Sequence, residues 1–159
     1  MRKNFWPILS VIAFTSGCAQ PLGSAASPLL SPRDLNGNAA AFDAKVVRVQ
    51  GYVELAPEGH ILYQSRELSD EFANGIKAGG LDPKPYVNDC LTIINPAFLY
   101  KRIDLVNHKT LVLKGRFDRN YMDGHRIDLG ACPLATGIVV DEQDFLSRYA
   151  ALLGQPGQK

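Results

Sequence analysis

The chain is poor in the residues that most often betray chemistry. Its 159 residues include three cysteines, three histidines, two methionines and one tryptophan. No serine stands in a GxSxG context, so the nucleophile elbow of a serine hydrolase is missing. Neither Cys90 nor Cys132 has a second cysteine or a histidine close by in sequence, which argues against a zinc site. An excess of either charge is missing too. The formal net charge is +1. Without the first 17 residues, which hold Arg2 and Lys3 and no acid, 15 basic and 16 acidic side chains remain. So neutral a body lacks the basic surface that neutralises phosphates, which argues against a general nucleic-acid binder. The mostly apolar run at residues 5–14, FWPILSVIAF, is too short to span a bilayer as a stable helix. The length is that of one domain with room for a core.

What is present begins with that same run. It follows a short basic start and leads through Thr15, Ser16 and Gly17 to Cys18, the order of a secretory signal and its small-residue cleavage site. The stretch resembles the lipobox of bacterial lipoproteins, although Thr15 stands where that family usually has leucine. The resemblance implies removal of residues 1–17 and lipidation of Cys18 by a thioether-linked diacylglycerol, usually with an N-acyl chain. By the same resemblance, Ala19 after the cysteine implies sorting to the outer membrane, with the body facing the periplasm. Several acyl chains on one cysteine hold far more firmly than one. The alternative is an ordinary secretory signal followed by an unrelated cysteine. Residues 18–30, rich in Ala, Ser, Pro and Gly and without a period, read as the lipidated cysteine and a flexible tether. Stretched, the tether reaches on the order of 40 Å. Residues 155–159 read as a disordered tail.

Lipidation of Cys18 also resolves the odd cysteine count, leaving Cys90 and Cys132 as a pair. In an oxidising compartment a bridge is favoured over two buried thiols. It would close a loop of about 43 residues and stabilise by roughly 4 kcal/mol in the chain-entropy account.

The body, residues 31–154, is organised around residues 45–55, KVVRVQGYVEL. Val47, Val49, Val53 and Leu55 alternate with polar residues, the pattern of a half-buried strand. Gly51 falls on the apolar face, where a strand can bend or a neighbouring backbone come close. KTLVLKGRFD at residues 109–118 repeats the pattern, with Gly115 in the place of Gly51. Ser31-Pro32-Arg33-Asp34 is a helix start, with Gly37 ending the helix. Residues 60–65 give a second strand after a turn at Pro57-Glu58-Gly59. Residues 66–89 are long and polar, with helical spacing of Leu68, Phe72 and Ile76 near their start. Residues 90–94 give a third strand. Asn95-Pro96 caps and starts a helix that buries Phe98, Leu99, Ile103 and Val106. After the fourth strand, Asp123-Gly124 signals a hairpin into a fifth at residues 126–130. Residues 136–140 suit a short edge strand. Asp141 caps a final helix, Val140 and Phe145 standing at staple positions, with an apolar stripe of Phe145, Leu146, Tyr149, Leu152 and Leu153.

Strand, strand, strand, helix, strand, strand is similar to the OB-fold, a five-stranded, partly open Greek-key barrel with a helix between strands three and four. The expected class is therefore mainly β, with short helices at both ends. An open sheet with a helix on one face, an α+β roll, would share the order. The Phe42, KVVRVQGYV, ILYQS and later cysteine pattern also resembles small uncharacterised OB-like modules of bacterial envelope proteins.

Three site readings follow. Asp118, Asn120, Asp123, Gly124 and Asp128 are similar to a calcium loop, but the spacing is wrong and no glutamate closes it. A plain turn explains the Asp-Gly, and no metal or other cofactor is expected. His125, between Asp123 and Asp128, could be oriented as a base but has no nucleophile; a metal-dependent hydrolase around residues 118–128 is the least favoured role. The OB resemblance implies a binding face on strands two and three and the loops beside them, hence Tyr52, Tyr63, Arg66, Arg116, Arg119, Tyr121 and His125. Tyrosine and arginine suit both sugar stacking and protein contacts. The expectation is a non-enzymatic protein-binding or accessory module of the cell envelope, with an oligosaccharide-binding module as the alternative.

Overall fold

Along the chain run β1 (Leu29–Leu30), α1 (Pro32–Gly37), α2 (Ala39–Phe42), β2 (Val46–Ala56), β3 (Gly59–Tyr63), α3 (Arg66–Lys77), β4 (Cys90–Ile93), α4 (Ala97–Tyr100), α5 (Ile103–Val106), β5 (Lys109–Asp118), β6 (Gly137–Val140), α6 (Glu142–Arg148) and α7 (Ala150–Leu153). The computed structural model describes residues 27–57, 59–80, 86–122 and 132–154. Cys18, Glu58, Asp123, Gly124, His125, Asp128, the strand expected at residues 126–130 and the tail at residues 155–159 lie outside them. So does the side chain of Ile76.

The alternation in β2 and β5 decides the architecture. Val47, Val49, Val53 and Leu55 point inward from β2, and Leu111, Leu113 and Phe117 from β5. The two strands pair antiparallel from Val46↔Arg116 to Val53↔Lys109. β3 pairs antiparallel with the second half of β2 and with β4. β6 runs parallel to β4 and antiparallel to β5. The order β2-β3-β4-β6-β5 returns to β2, so five strands close into an OB-like barrel. The core they enclose holds Val49, Val53, Leu62, Leu91, Ile93, Leu113, Phe117 and Ile138, all at 0% exposure.

Both glycines stand where strands close in on each other. A Cβ on Gly51 would lie 2.6 Å from the Tyr63 carbonyl oxygen and 2.7 Å from Leu62 Cγ. One on Gly115 would run into the Val139 carbonyl. Any side chain there would push β3 or β6 off its neighbour.

Three expectations need correction. The segment expected as an edge, Gly137–Val140, is the strand that closes the barrel, because Ile138 and Val140 alternate inward and both its sides find partners. The helix expected from Asn95 is two short turns, α4 and α5, broken at Arg102 (φ −136°). Asn95 does not cap it; its side chain takes both backbone groups of Val140 (2.7 and 2.9 Å). The tether expected through residue 30 does not include Leu29 and Leu30, which pair parallel with Arg48 and Val49 as β1. Leu30 packs on the core and Leu29 stays half exposed.

Asn95 belongs to a recurring device. At three places where a ladder runs out, one side chain satisfies a strand residue's N–H and C=O together. Asn95 does so for Val140 beyond the β4–β6 pairing. Asn107 does so for Leu55 (2.7 and 3.3 Å) beyond the β2–β5 pairing. The Tyr149 hydroxyl does so for Val112 (2.8 and 3.2 Å), where β6 no longer flanks β5. Buried backbone groups need such partners. At the ends, Ser31 and Asp34 form the expected capping box of α1, and Asp141 caps α6. The Ser31 hydroxyl donating to Asp34, with the Ser31 N–H beside it, and the Asp144 N–H donating to Asp141 hold these two carboxyls below the ordinary carboxylate range. The final apolar stripe is only partly used: Phe145 is buried against Phe98, whereas Leu152 is 40% exposed.

Candidate functional site

An OB barrel offers its ligands the outer face of its second and third strands. Here those strands are β3 and β4, and α3 lies across that face. The helix forms as its spacing predicts, and Leu68, Ser69 and Phe72 turn toward the barrel. Phe72 meets the Tyr63 ring at a centroid distance of 5.8 Å and the edge of Tyr86 at 5.5 Å. Tyr52, Ile61, Cys90 and Cys132 complete this second cluster. The two cysteines are in bonding contact with Cα atoms 5.7 Å apart, within the span a disulfide uses. Tyr52 and Tyr63 therefore do not form an open platform: they are 5% and 3% exposed. Burial, with the Glu54 charge behind it, pushes the Tyr63 phenol far above its ordinary range. Burial also raises Tyr52, which the Arg66 charge opposes.

A polar rim surrounds this apolar patch. Ser69, on the buried face of α3, donates to the Glu54 carboxylate, and Tyr86 donates to Glu71. That bond raises the Tyr86 phenol. The Tyr52 hydroxyl sits 3.2 Å from His108 Nδ1. His108 holds a left-handed backbone (φ 58°), fixed by its N–H bonding to the Val53 carbonyl at 2.9 Å. Arg66 and Asp70 pair at 3.6 Å on the exposed side of α3. The rim can bind and orient polar groups. A phenol beside an imidazole can pass a proton, but the nearby carboxylate is committed to Ser69.

The expected binding residues are only partly brought together. Tyr52 and Tyr63 meet under α3, with Arg66 at the rim. Tyr121 reaches the same face, its hydroxyl donating to Thr92 Oγ1 at 3.1 Å, where the register sets Thr92 opposite Ile61. Arg116 and Arg119 lie elsewhere, paired with Asp118 (4.0 Å) and Asp43 (3.2 Å). The Asp118 carboxylate also accepts the Asn120 N–H at 3.0 Å, the local bond of an Asx turn. Among the described residues no group of three or more His, Cys, Asp or Glu could hold a metal ion.

The sequence reading missed Glu54, Ser69, His108 and the clasp made by α1. Ser69 was within reach, because it precedes Phe72 by three and so shares its helix face. The clasp joins partners far apart in the chain. Arg33 Nε and Nη2 grip the buried Asp89 carboxylate at 2.6 and 2.7 Å. That bond and the Asp89 charge raise the Arg33 guanidinium further. Asn36 donates to the Asn88 and Cys90 carbonyls and accepts from Thr136. Beside the clasp a polar groove of about 230 Å³ is lined by Leu29, Leu30, Ser31, Asp34, Gln50, Gln64 and Thr110. It marks the seam where the edge of β2 passes from β1 to β3.

Compared with known protein families, characterised proteins and solved structures, the chain matches none.

Proposed function

We propose that this chain is a lipoprotein of the bacterial outer membrane, anchored through Cys18, whose barrel stands in the periplasm as a non-enzymatic accessory module and contacts another envelope protein. The observation that supports protein contact over sugar binding is α3. It fills the face on which an OB barrel would lay an oligosaccharide, and it leaves Tyr52 and Tyr63 covered. What that side offers instead is the outer surface of α3, where Arg66, Glu67, Asp70 and Glu71 are exposed with mixed charge. Such a surface suits a complementary protein patch and gives a sugar chain no aromatic ring to stack on. The cysteine pair at disulfide distance and the lipobox sequence agree on the oxidising side of the inner membrane.

The test is capture from detergent-solubilised membranes with the lipidated protein. A discrete envelope protein should co-purify, and the charge reversals Arg66→Glu with Asp70→Lys should weaken its capture while melting stays unchanged. Retention on peptidoglycan or glycan arrays with no protein captured would replace this reading by the oligosaccharide one. Cys18→Ala should move the protein from the membrane to the soluble fraction; continued membrane fractionation would sink the anchor.

A further inference from the structure

The place where the tether meets the barrel carries more than a connection. β1 fixes the chain to the edge of β2 at Leu29↔Arg48 and Leu30↔Val49. Only residues 19–28 then lie between Cys18 and the barrel. Ten residues span at most about 35 Å stretched. Whatever the barrel shows around β1 is held close to the anchor.

What it shows there is apolar and basic. The described residues include three exposed large hydrophobics, and two of them, Leu29 (50%) and Val46 (61%), are here. Leu29 pairs with Arg48, and Val46 lies two residues before Arg48, so the strand pleat turns all three outward together. Across β2, Arg48 faces Lys114 and Val46 faces Arg116. Lys114 is shared between Asp141 and Asp144 at 3.7 Å, and Arg116 is 4.0 Å from Asp118. Arg48 has no ion pair among the described residues, and its Nε is buried without a hydrogen-bond partner. Two aliphatic tips among three guanidinium and ammonium groups, next to a short lipid tether, match an interface with acyl chains below and phosphates around it.

We infer that the outer face formed by Leu29, Val46, Arg48 and Arg116 docks on the anionic lipid surface of the membrane that holds Cys18. The barrel then lies against the bilayer on this face instead of swinging on its tether. The inference rests on the lipoprotein reading, and the test separates the two. Removal of residues 1–17 also removes Trp6, so Val46→Trp in the mature protein is a lone reporter. Mass spectrometry first establishes whether Cys18 carries acyl chains; an unmodified Cys18 would overturn anchor and docking alike. The acylated protein is then placed in vesicles containing acyl-brominated lipid, either with phosphatidylglycerol or with phosphatidylcholine alone. Val46→Trp emission should be quenched in the phosphatidylglycerol vesicles, while Asn74→Trp on the outer side of α3 should not. Arg48→Gln and Arg116→Gln should each weaken the docked population about fivefold. Unquenched Val46→Trp on an acylated protein, equal quenching of both reporters, or equal quenching without phosphatidylglycerol would each overturn the docking. So would a Val46→Trp emission that responds only to added envelope protein, which would assign the face to a protein.

Discussion

Replacing Asn95 by alanine tests whether side chains really stand in for the missing strands. The Asn95 amide satisfies the N–H and C=O of Val140, a residue 3% exposed, at 2.7 and 2.9 Å. Alanine leaves both backbone groups with no protein partner. An orphaned buried polar group costs about 1–3 kcal/mol. Partial access of water through the vacated volume brings the pair to about 3 kcal/mol in total. For a chain of this length each kcal/mol lowers Tm by about 2–4 °C, so the expected fall is roughly 6–12 °C. Asn95→Asp separates the halves: it keeps an acceptor for the N–H but sets a carboxylate against the carbonyl, and it should lose at least as much as alanine. Asn74→Ala, on the exposed side of α3, serves as the reference and should stay within about 0.5 kcal/mol of wild type. Urea unfolding with an unchanged m-value gives the free energies. Asn95→Ala within the error of Asn74→Ala would refute the reasoning, because the Val140 groups would then need no partner.

Four further outcomes are expected. Gly51→Val should lower stability by about 3 kcal/mol through overpacking against Tyr63 and Leu62, and Gly115→Val should do likewise against Val139, whereas Gly37→Ala, with nothing within 4 Å of a new Cβ, should be nearly silent; wild-type unfolding midpoints for both valine variants would remove the close strand approach. Mass spectrometry without reductant should show Cys90 joined to Cys132, and Cys132→Ser should cost roughly 4 kcal/mol for a separation of 42 residues; two alkylatable thiols in the native protein would contradict this. Tyr63 holds its proton more tightly folded than unfolded, so its contribution is intact below the ordinary phenol pKa and is lost as pH climbs above it. Tyr63→Phe should flatten that alkaline decline in Tm, and an unchanged decline would deny the burial its effect. Phe72→Ala should remove hydrogen-exchange protection from α3 while the barrel strands stay protected; loss of both together would mean that α3 is integral to the barrel core.

Local signals in the sequence were sound guides to local structure. Ser31 and Asp34 form their capping box, Asp141 caps its helix, and Val47, Val49, Val53 and Leu55 take the face that their alternation assigns them. The barrel followed because two long strands, each with a glycine on its apolar face, and three shorter ones leave few ways to close. What failed was non-local. Asn95-Pro96 looks like a helix cap in isolation, but Val140, 45 residues away, has the stronger need for that amide. Tyr52 and Tyr63 fall on the expected binding face because the OB resemblance puts its ligands on those strands. Nothing in those residues tells that α3 will return to cover them. The strand Gly137–Val140 was underrated because four residues carry little periodicity, and only two waiting edges make it central.

The register of β2 also sets an order in time. Val46 sits opposite Arg116, and Gly115 in turn opposite Val140. During synthesis the early half of the molecule must wait on the ribosome for residues made much later, because its longest strand has no antiparallel companion along its first half until β5 emerges. Closing such distant pairs is slow and becomes favourable only when most of the circle is complete. A nascent chain of this kind stays uncommitted for most of its birth, a state in which it can still be threaded elsewhere before it shuts.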